Sequence, residues 1–219
     1  MILAIYGMGG SGRELYEMIM MDSKLKANWT KFVFIDDTKE EGECLGCRHM
    51  PWNIFKEKYN KDTAEVIVAV GEPKDRKMLF EKVKLAGYNF ATVISSTANI
   101  YGSAKIGEGC VLKENIYVTS NAVIGNNVYV NGGSTIIGHD TNIGDHCQIS
   151  SNTIISGGCT VGECTYIGLS ANIRDHITVG KNCIISMSAA VMKSVADNMI
   201  AIGNPARVIA VNESGKVFK

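Results

Sequence analysis

From Ile100 to Val191 an aliphatic residue recurs every six positions. Ile100, Ile106, Leu112, Val118, Ile124, Val130 and Ile136 keep one frame. The frame then slips by one, and Ile137, Ile143, Ile149, Ile155, Val161, Ile167, Ile173, Val179, Ile185 and Val191 continue it. A period of six fits neither the 3.6-residue turn of an amphipathic helix nor the alternation of a single strand. It predicts short strands joined by tight corners, each giving one inward aliphatic side chain, three strands making one coil of a triangular prism. The residue after the aliphatic is often glycine (Gly107, Gly125, Gly138, Gly144, Gly162, Gly168, Gly180), and asparagines lie nearby, as corners with unusual backbone angles require. Four positions after the aliphatic the residue is small, as at Cys110, Ala122, Cys147, Thr153, Cys159 and Cys183. These side chains are expected to fill a narrow interior, where alanine, serine or threonine would serve equally.

The first 99 residues are patterned differently. Ile2 to Tyr6 is a short apolar run followed by glycines and a segment with helical spacing; Phe32 to Ile35 is a second run, ending in Asp36-Asp37. Ala64 to Val70 is continuous enough to be a strand buried on both faces. After Gly71-Glu72-Pro73 an amphipathic helix runs to Gly87, and Phe90 to Ile94 reads as a fourth strand. Strands alternating with helices predict a small Rossmann-like parallel sheet with right-handed crossovers. The expected class is therefore α/β plus β-solenoid, divided into residues 1–92 and 93–219. Composition agrees, since 28 of the 44 charged residues precede residue 100.

Twenty-two basic and 22 acidic residues balance to zero net charge, which leaves no electrostatic footprint for nucleic acid or an anionic membrane. No run of about eighteen apolar residues occurs, and the glycine-rich start lacks the h-region of a signal peptide, so a cytoplasmic protein is expected. In that setting seven cysteines are reduced thiols rather than a disulfide framework. Cys44-Leu45-Gly46-Cys47, with His49 behind it, has no second pair at ligand spacing; it reads as loop residues without chemistry, and no metal is expected.

Gly7-Met8-Gly9-Gly10-Ser11-Gly12 fits G-x-G-x-x-G between a strand and a helix, with Asp36 and Asp37 following at the distance of ribose-binding acids. Such glycines let the backbone approach a phosphate at a helix N-terminus. Fewer than 100 residues supply half of a dinucleotide fold, so a nucleoside-diphosphate ligand fits better than NAD. Of the three histidines in the repeat, His139 stands out because the frame slip between Ile136 and Ile143 places an extra residue in the coil holding Gly138-His139-Asp140. Breaks in a regular repeat gather at functional sites. Asp140 is placed to fix the tautomer of His139 and make it a general base. His146 and His176 fall three residues after a repeat aliphatic and are expected on the surface. The separations of the three histidines, seven and thirty residues, do not match the zinc set of γ-class carbonic anhydrases.

Together GMGGSG, the Ile-Asp-Asp strand end, AVGEPKDR, the hexapeptide array with its GHD, and the terminal AIGNPARVI resemble the nucleotide-sugar N-acetyltransferase and sialic acid O-acetyltransferase family over nearly the whole chain. The resemblance implies a left-handed parallel β-helix, acetyl-CoA as co-substrate and a homotrimer. It implies that Gly9, Gly10, Ser11, Asp36, Asp37 and Gly71 hold a sugar nucleotide, although family members often carry histidine at the position of Ser11. It makes His139 and Asp140 the catalytic pair and Asn131 a sugar contact. Gln148 stands where many members have a second histidine near the thioester. Leu169 and Met187 stand at positions that match the family's acetyl-CoA groove, with Lys193 and Arg207 as partners for the CoA phosphates. The implied reaction is acetylation of a nucleotide-linked 4-amino-4,6-dideoxysugar; the alternatives are O-acetylation of sialic acid or a related free sugar, and a non-catalytic sugar-nucleotide-binding trimer.

Overall fold

The structure is a computed structural model that describes residues 1–218. The N-terminal unit runs β1 (Ile2–Tyr6), α1 (Gly10–Met21), α2 (Ser23–Lys26), β2 (Lys31–Ile35), β3 (Gly42–Cys44), β4 (Cys47–Met50), α3 (Trp52–Lys58), β5 (Ala64–Val68), α4 (Pro73–Leu85) and β6 (Asn89–Phe90). Its sheet has the order β3-β4-β2-β1-β5-β6, with every neighbour parallel except the β3–β4 hairpin. The central strands β2, β1 and β5 are apolar apart from Lys31 and Glu65 because both faces are covered. Leu3, Ile5, Phe34 and Ile67 pack with Leu15 and Ile19 of α1, while Ala4, Tyr6, Val33 and Val66 pack with Phe55 of α3 and Phe80 and Val83 of α4. Each of the large aliphatics so buried stabilises the unit by roughly 2 kcal/mol relative to exposure.

Two expectations change here. The fourth apolar run is two strands: Asn89–Phe90 joins β5, whereas Val93–Ile94 pairs with Val111–Leu112 in the next sheet. The C-x-x-C segment is a hairpin rather than a loop. Leu45 (φ 52°) and Gly46 (φ 72°) are both left-handed, the backbone of a two-residue hairpin turn, and Cys44 and Cys47 lie opposite one another as free thiols.

From Val93 onward two-residue strands stack into three parallel faces of a left-handed β-helix. The first face holds Val93–Ile94, Val111–Leu112, Tyr129–Val130, Gln148–Ile149, Tyr166–Ile167 and Ile184–Ile185. The second runs from Asn99–Ile100 to Ala190–Val191, and the third from Lys105–Ile106 to Thr178–Val179. Met199–Ile202 adds to the end of the first face and turns back antiparallel as Arg207–Val211. Apart from Ile136, the repeat aliphatics from Leu112 to Val191 fill the shared interior, with Ile100 and Ile106 packed at its open end.

Up to Val191 strand partners are 18 residues apart except across one corner, where Tyr117 meets Ile136, Val123 meets Asn142 and Tyr129 meets Gln148 at 19; only the last coil is shorter, Ile184 meeting Ile200. The inward residue after Val130 is Ile137, with Ile136 on the outside. The extra residue therefore lies in the Asn131–Thr135 corner, one edge before Gly138-His139-Asp140, which corrects the placement read from the period.

The corner glycines do something other than expected. The left-handed residue of a corner is usually the third after the aliphatic, as at Asn115, Asn121, Asn127, Asp140, His146, Cys164 and Asn182. The glycine directly after the aliphatic is instead required by stacking: a Cβ on Gly138 would stand 2.6 Å from the amide nitrogen of Gly157 in the next coil. The small interior slot is also more particular than filler. Cys110, Cys147, Cys159 and Cys183 each point a thiol at a carbonyl 13 or 15 residues ahead, at 3.0 to 3.2 Å, and Thr141, Thr153 and Thr165 do the same with hydroxyls. Alanine cannot make that bond.

The N-terminal unit sits on the first face, where Val93, Val111 and Tyr129 join the cluster that contains Leu3 and Leu15. In a triangular prism this fixes what each edge does. The edge between second and third faces lies opposite the covered face, and the edges flanking the first face lie beside the N-terminal unit.

Candidate active site

The glycine loop opens the first of two relevant cavities. Gly7 has φ 108°, and a Cβ on Gly12 would stand 1.8 Å from the carbonyl oxygen of Gly7, so the fold itself demands both glycines. Gly9 and Gly10 differ: a Cβ on either would meet nothing within 4 Å. Their bare backbone faces an open cleft at the N-terminus of α1, where amide groups and the helix dipole favour an anion. The cleft, about 550 Å³, is lined by the C-terminal ends of β2, β1 and β5, including Gly9, Gly10, Ser11, Asp36, Asp37 and Gly71. Every one of these residues belongs to the N-terminal unit.

The two acids at the end of β2 are not equivalent. Asp36 accepts from the backbone of Met8 (3.1 Å) and from the amide and hydroxyl of Thr38 (3.0 and 2.6 Å). Burial pushes its carboxyl upward, and these hydrogen bonds outweigh it and hold the group below its ordinary range. Asp37 accepts from Tyr6, from Lys82 Nζ (2.6 Å) and from the Trp52 amide (2.8 Å), so it is tied into the wall by three donors. Asp36 is thus the acid that fixes the glycine loop, through Met8, while Asp37 anchors α3 and α4.

His139 lies on the edge between the second and third faces. Its Nδ1 stands 2.8 Å from Asp140 Oδ2, and Asn121 Nδ2 donates to Asp140 Oδ1 at 3.0 Å. The hydrogen bond from His139, followed by that from Asn121, holds the Asp140 carboxyl below its ordinary range, so it is ionised at neutral pH. An anionic acceptor at Nδ1 assigns the proton there and leaves Nε2 as the basic nitrogen. The left-handed φ of 56° at Asp140 turns its side chain back toward the ring. Beneath the imidazole is Gly157, whose added Cβ would fall 2.4 Å from His139 Nε2, with its nearest neighbours all atoms of that ring. Gly157→Ala is therefore expected to swing the imidazole off its place while leaving the coil intact, lowering kcat at least tenfold with little change in Tm. Steady-state kinetics beside a melting curve tests this, and a fully active variant would show that the ring position is unimportant.

The remaining candidates distribute over the prism. Asn131 lines a second cavity of about 620 Å³ at the inserted corner, with Gly132, Gly133, Ser151 and the ion pair of Glu14 and Lys113 (2.8 Å). Leu169 and Met187 project from that same edge, 46% and 68% exposed. Lys193 is exposed on the His139 edge, 54 residues on and three coils below, and Arg207 is exposed in the terminal antiparallel strand. His176 is exposed as expected.

Two expectations fail at the junction between the units. His146 is 6% exposed, because its outward side meets α4 rather than solvent: Asn127 Nδ2 lies 2.8 Å from Nδ1 and Phe80 packs edge-on. Burial pushes its pKa down, so the imidazole is neutral. Gln148, expected at the thioester, is 4% exposed and its amide oxygen accepts from Arg76 at 2.9 Å. Arg76 is the residue sequence reasoning missed. Fully buried, it also donates to the carbonyls of Asn127, Val70, His146 and Cys147. The sequence signal was present in AVGEPKDR, where a guanidinium at N4 of α4 falls on the face turned toward the β-helix.

Residues 2–83 match the PglD N-terminal domain. A GDP-perosamine N-acetyltransferase of Escherichia coli O157:H7 is 28% identical over 158 residues, 71% of this chain and 70% of that one. The acetyltransferase domain of PglB from Neisseria gonorrhoeae FA1090, solved also in complex with acetyl coenzyme A, superposes with a TM-score of 0.87 at 27% identity over 95% of this chain and 99% of that one. WeeI from Acinetobacter baumannii AYE gives 0.88 at 27% identity, covering 95% and 99%. The chain is thus similar over 71% of its length to a sugar N-acetyltransferase and over 95% to the fold of solved acetyltransferases. In this chain the glycine-loop unit precedes the β-helix, and the two candidate centres lie on opposite sides of the prism. No helix among the described residues is long and apolar enough to cross a membrane, and no three His, Cys, Asp or Glu side chains among them gather as a metal site.

Proposed function

We propose that the protein transfers the acetyl group of acetyl-CoA to the 4-amino group of a nucleotide-linked 4-amino-4,6-dideoxysugar, with His139 as general base. The observation that carries the reading is the His139–Asp140 pair, a base oriented through Nδ1 with Nε2 left free, in a chain similar throughout to sugar N-acetyltransferases. The amine nitrogen attacks the thioester carbonyl and loses a proton to Nε2; the carbon–sulfur bond breaks, and the imidazolium returns the proton to the departing thiolate. Asp140 stabilises the imidazolium. Because Gln148 is engaged by Arg76, support for the oxyanion falls to backbone amides of the coil edges.

The sugar nucleotide occupies the glycine cleft, its diphosphate on the amides of Gly9, Gly10 and Ser11. Within one protomer that cleft and His139 flank opposite sides of the β-helix, so the base that serves a cleft comes from a second copy. A homotrimer brings the His139 edge of one copy against the Asn131 edge of the next. Acetyl-CoA lies in the groove so formed, with Leu169 and Met187 of one copy and Lys193 of the other along it, and Arg207 at its end. Exposed apolar side chains at Leu169, Met187, Tyr117 and Ile154, on and beside that edge, support a groove that is covered in the assembly.

The nucleotide is identified by thermal shift with UDP, dTDP, GDP and CDP at millimolar concentration. One of the four is expected to raise Tm by several degrees through preferential binding to the folded state. Release of free CoA thiol is then followed with amino sugars carried on that nucleotide. Activity on free sialic acid, with no response to any nucleotide, would overturn the reading.

A further inference from the structure

Glu72 follows Gly71 at the N-terminus of α4 and is 6% exposed. One carboxylate oxygen accepts the backbone N–H groups of Val217 and Phe218, both at 2.9 Å; the other has no partner among the described residues. Burying a carboxylate is costly unless it is used, and here its visible use is to grip the end of the chain. Two further contacts hold the same segment: Lys74 Nζ donates to the Ser214 carbonyl at 3.0 Å, and Lys216 pairs with Asp75 at 3.2 Å. Asp75 lines the glycine cleft, so the segment is fastened to the cleft's own rim.

The latch sets the position of one ring. Phe218 packs edge-on to Tyr166 of the first face, with centroids 5.5 Å apart. Its Cε2 lies 3.8 Å from the point where a Cβ on Gly71 would stand, and Ser11 Oγ lies 3.6 Å from that point. The ring remains 53% exposed. Sheet order then says which part of a ligand it meets. Asp36, the glycine loop and Gly71 follow the ends of β2, β1 and β5, which are adjacent in that order. A ligand with its nucleoside at Asp36 and its diphosphate at the N-terminus of α1 extends its third part toward Gly71.

We propose that the C-terminal segment is part of the binding site: Phe218 forms an apolar wall for the sugar ring of the nucleotide sugar, and Glu72 is the positioning residue that holds it there. The proposal rests on the functional reading above. Deoxysugars present C–H faces and a methyl group, which an aromatic face accommodates at low conformational cost. The nucleoside and diphosphate make no use of this wall.

The test is isothermal titration of the full chain, of Phe218→Ala, of Glu72→Ala and of a chain ending at Lys216. Each is titrated with GDP and UDP and with GDP-perosamine and a UDP-linked 4-amino-4,6-dideoxysugar. Phe218→Ala is expected to weaken the nucleotide sugar roughly tenfold and the nucleoside diphosphate less than twofold, with Phe218→Leu recovering most of the loss. Glu72→Ala is expected to match it, and to add nothing in the shortened chain, as two residues acting through one contact require. Unchanged or tighter binding of the sugar nucleotide overturns the proposal, since a tighter complex would make the segment a plug. Equal losses for both ligands overturn it too, as damage to the cleft. If the intact chain binds none of the four, the functional reading itself has failed.

Discussion

His139→Ala is expected to lower kcat by about 10²- to 10⁴-fold, the range supplied by a positioned general base. The size follows from what the side chain does. In the proposed reaction an amine attacking a thioester becomes cationic unless its proton leaves, and Nε2, set by the bond from Nδ1 to Asp140, is the group proposed to take it. The imidazole is 65% exposed in the protomer, so its removal opens no cavity and leaves Tm unchanged. KM for the nucleotide sugar should move little, because the cleft proposed to bind it lies on the far side of the prism. Asp140→Asn keeps a hydrogen-bonding group but loses the negative charge that stabilises the imidazolium, and its expected loss is smaller, in kcat alone. Steady-state kinetics of both variants decide the matter, and near-normal turnover by the alanine variant would remove His139 from the mechanism.

Arg76→Ala carries the second large effect, on stability. Its guanidinium donates to five backbone carbonyls, two of them in the corner that carries His146 and Cys147, and to the amide oxygen of Gln148. Truncation leaves the carbonyls of Asn127, Val70 and His146 and the amide oxygen of Gln148 without this donor, while Cys147 keeps the Tyr129 amide, and it opens a cavity at the junction. Each orphaned acceptor costs about 1–3 kcal/mol, and partial relaxation reduces the sum to on the order of 4 kcal/mol. Because the same residue joins α4 to the β-helix, urea denaturation of the variant is expected to separate into two transitions, the N-terminal unit first. Arg76→Lys keeps a charge but not the planar fork, and should recover only part of the loss. A single unshifted transition in Arg76→Ala would mean that the units are held together by apolar packing alone.

The β-helix was readable because each short strand must present one aliphatic side chain to a common interior, so the interior writes its period directly into the chain. The parallel sheet was readable for the reason that buried strands are uniformly apolar, and the same uniformity merged Phe90 and Val93 into one run although they serve different sheets. The hairpin at Cys44–Cys47 escaped notice because its turn is Leu-Gly rather than the Asn-Gly or Asp-Gly that usually marks left-handed pairs. His139 and Asp140 could be picked out as neighbours in sequence, since their interaction is local. What the period could not carry was which edge faces the N-terminal unit. That one fact buries His146, engages Gln148 and sets His139 opposite the glycine cleft. It depends on contacts between residues some 70 positions apart, such as Arg76 with Cys147, for which a single sequence holds no signal.

The inserted residue at Asn131–Thr135 has a consequence for how such a protein can change. In a solenoid each coil touches only its neighbours, so added chain length is absorbed where it enters and the stacking beyond resumes unaltered, as the return to 18-residue pairing at Ile136 and Ile154 demonstrates. The 620 Å³ hollow beside Glu14 and Lys113 exists at that corner. Lengthening or shortening this one bend would resize the hollow without renumbering a single contact in the coils below it. The corner is thus a natural point for an engineer, or for descent with modification, to reshape that hollow while the coils around it stay fixed.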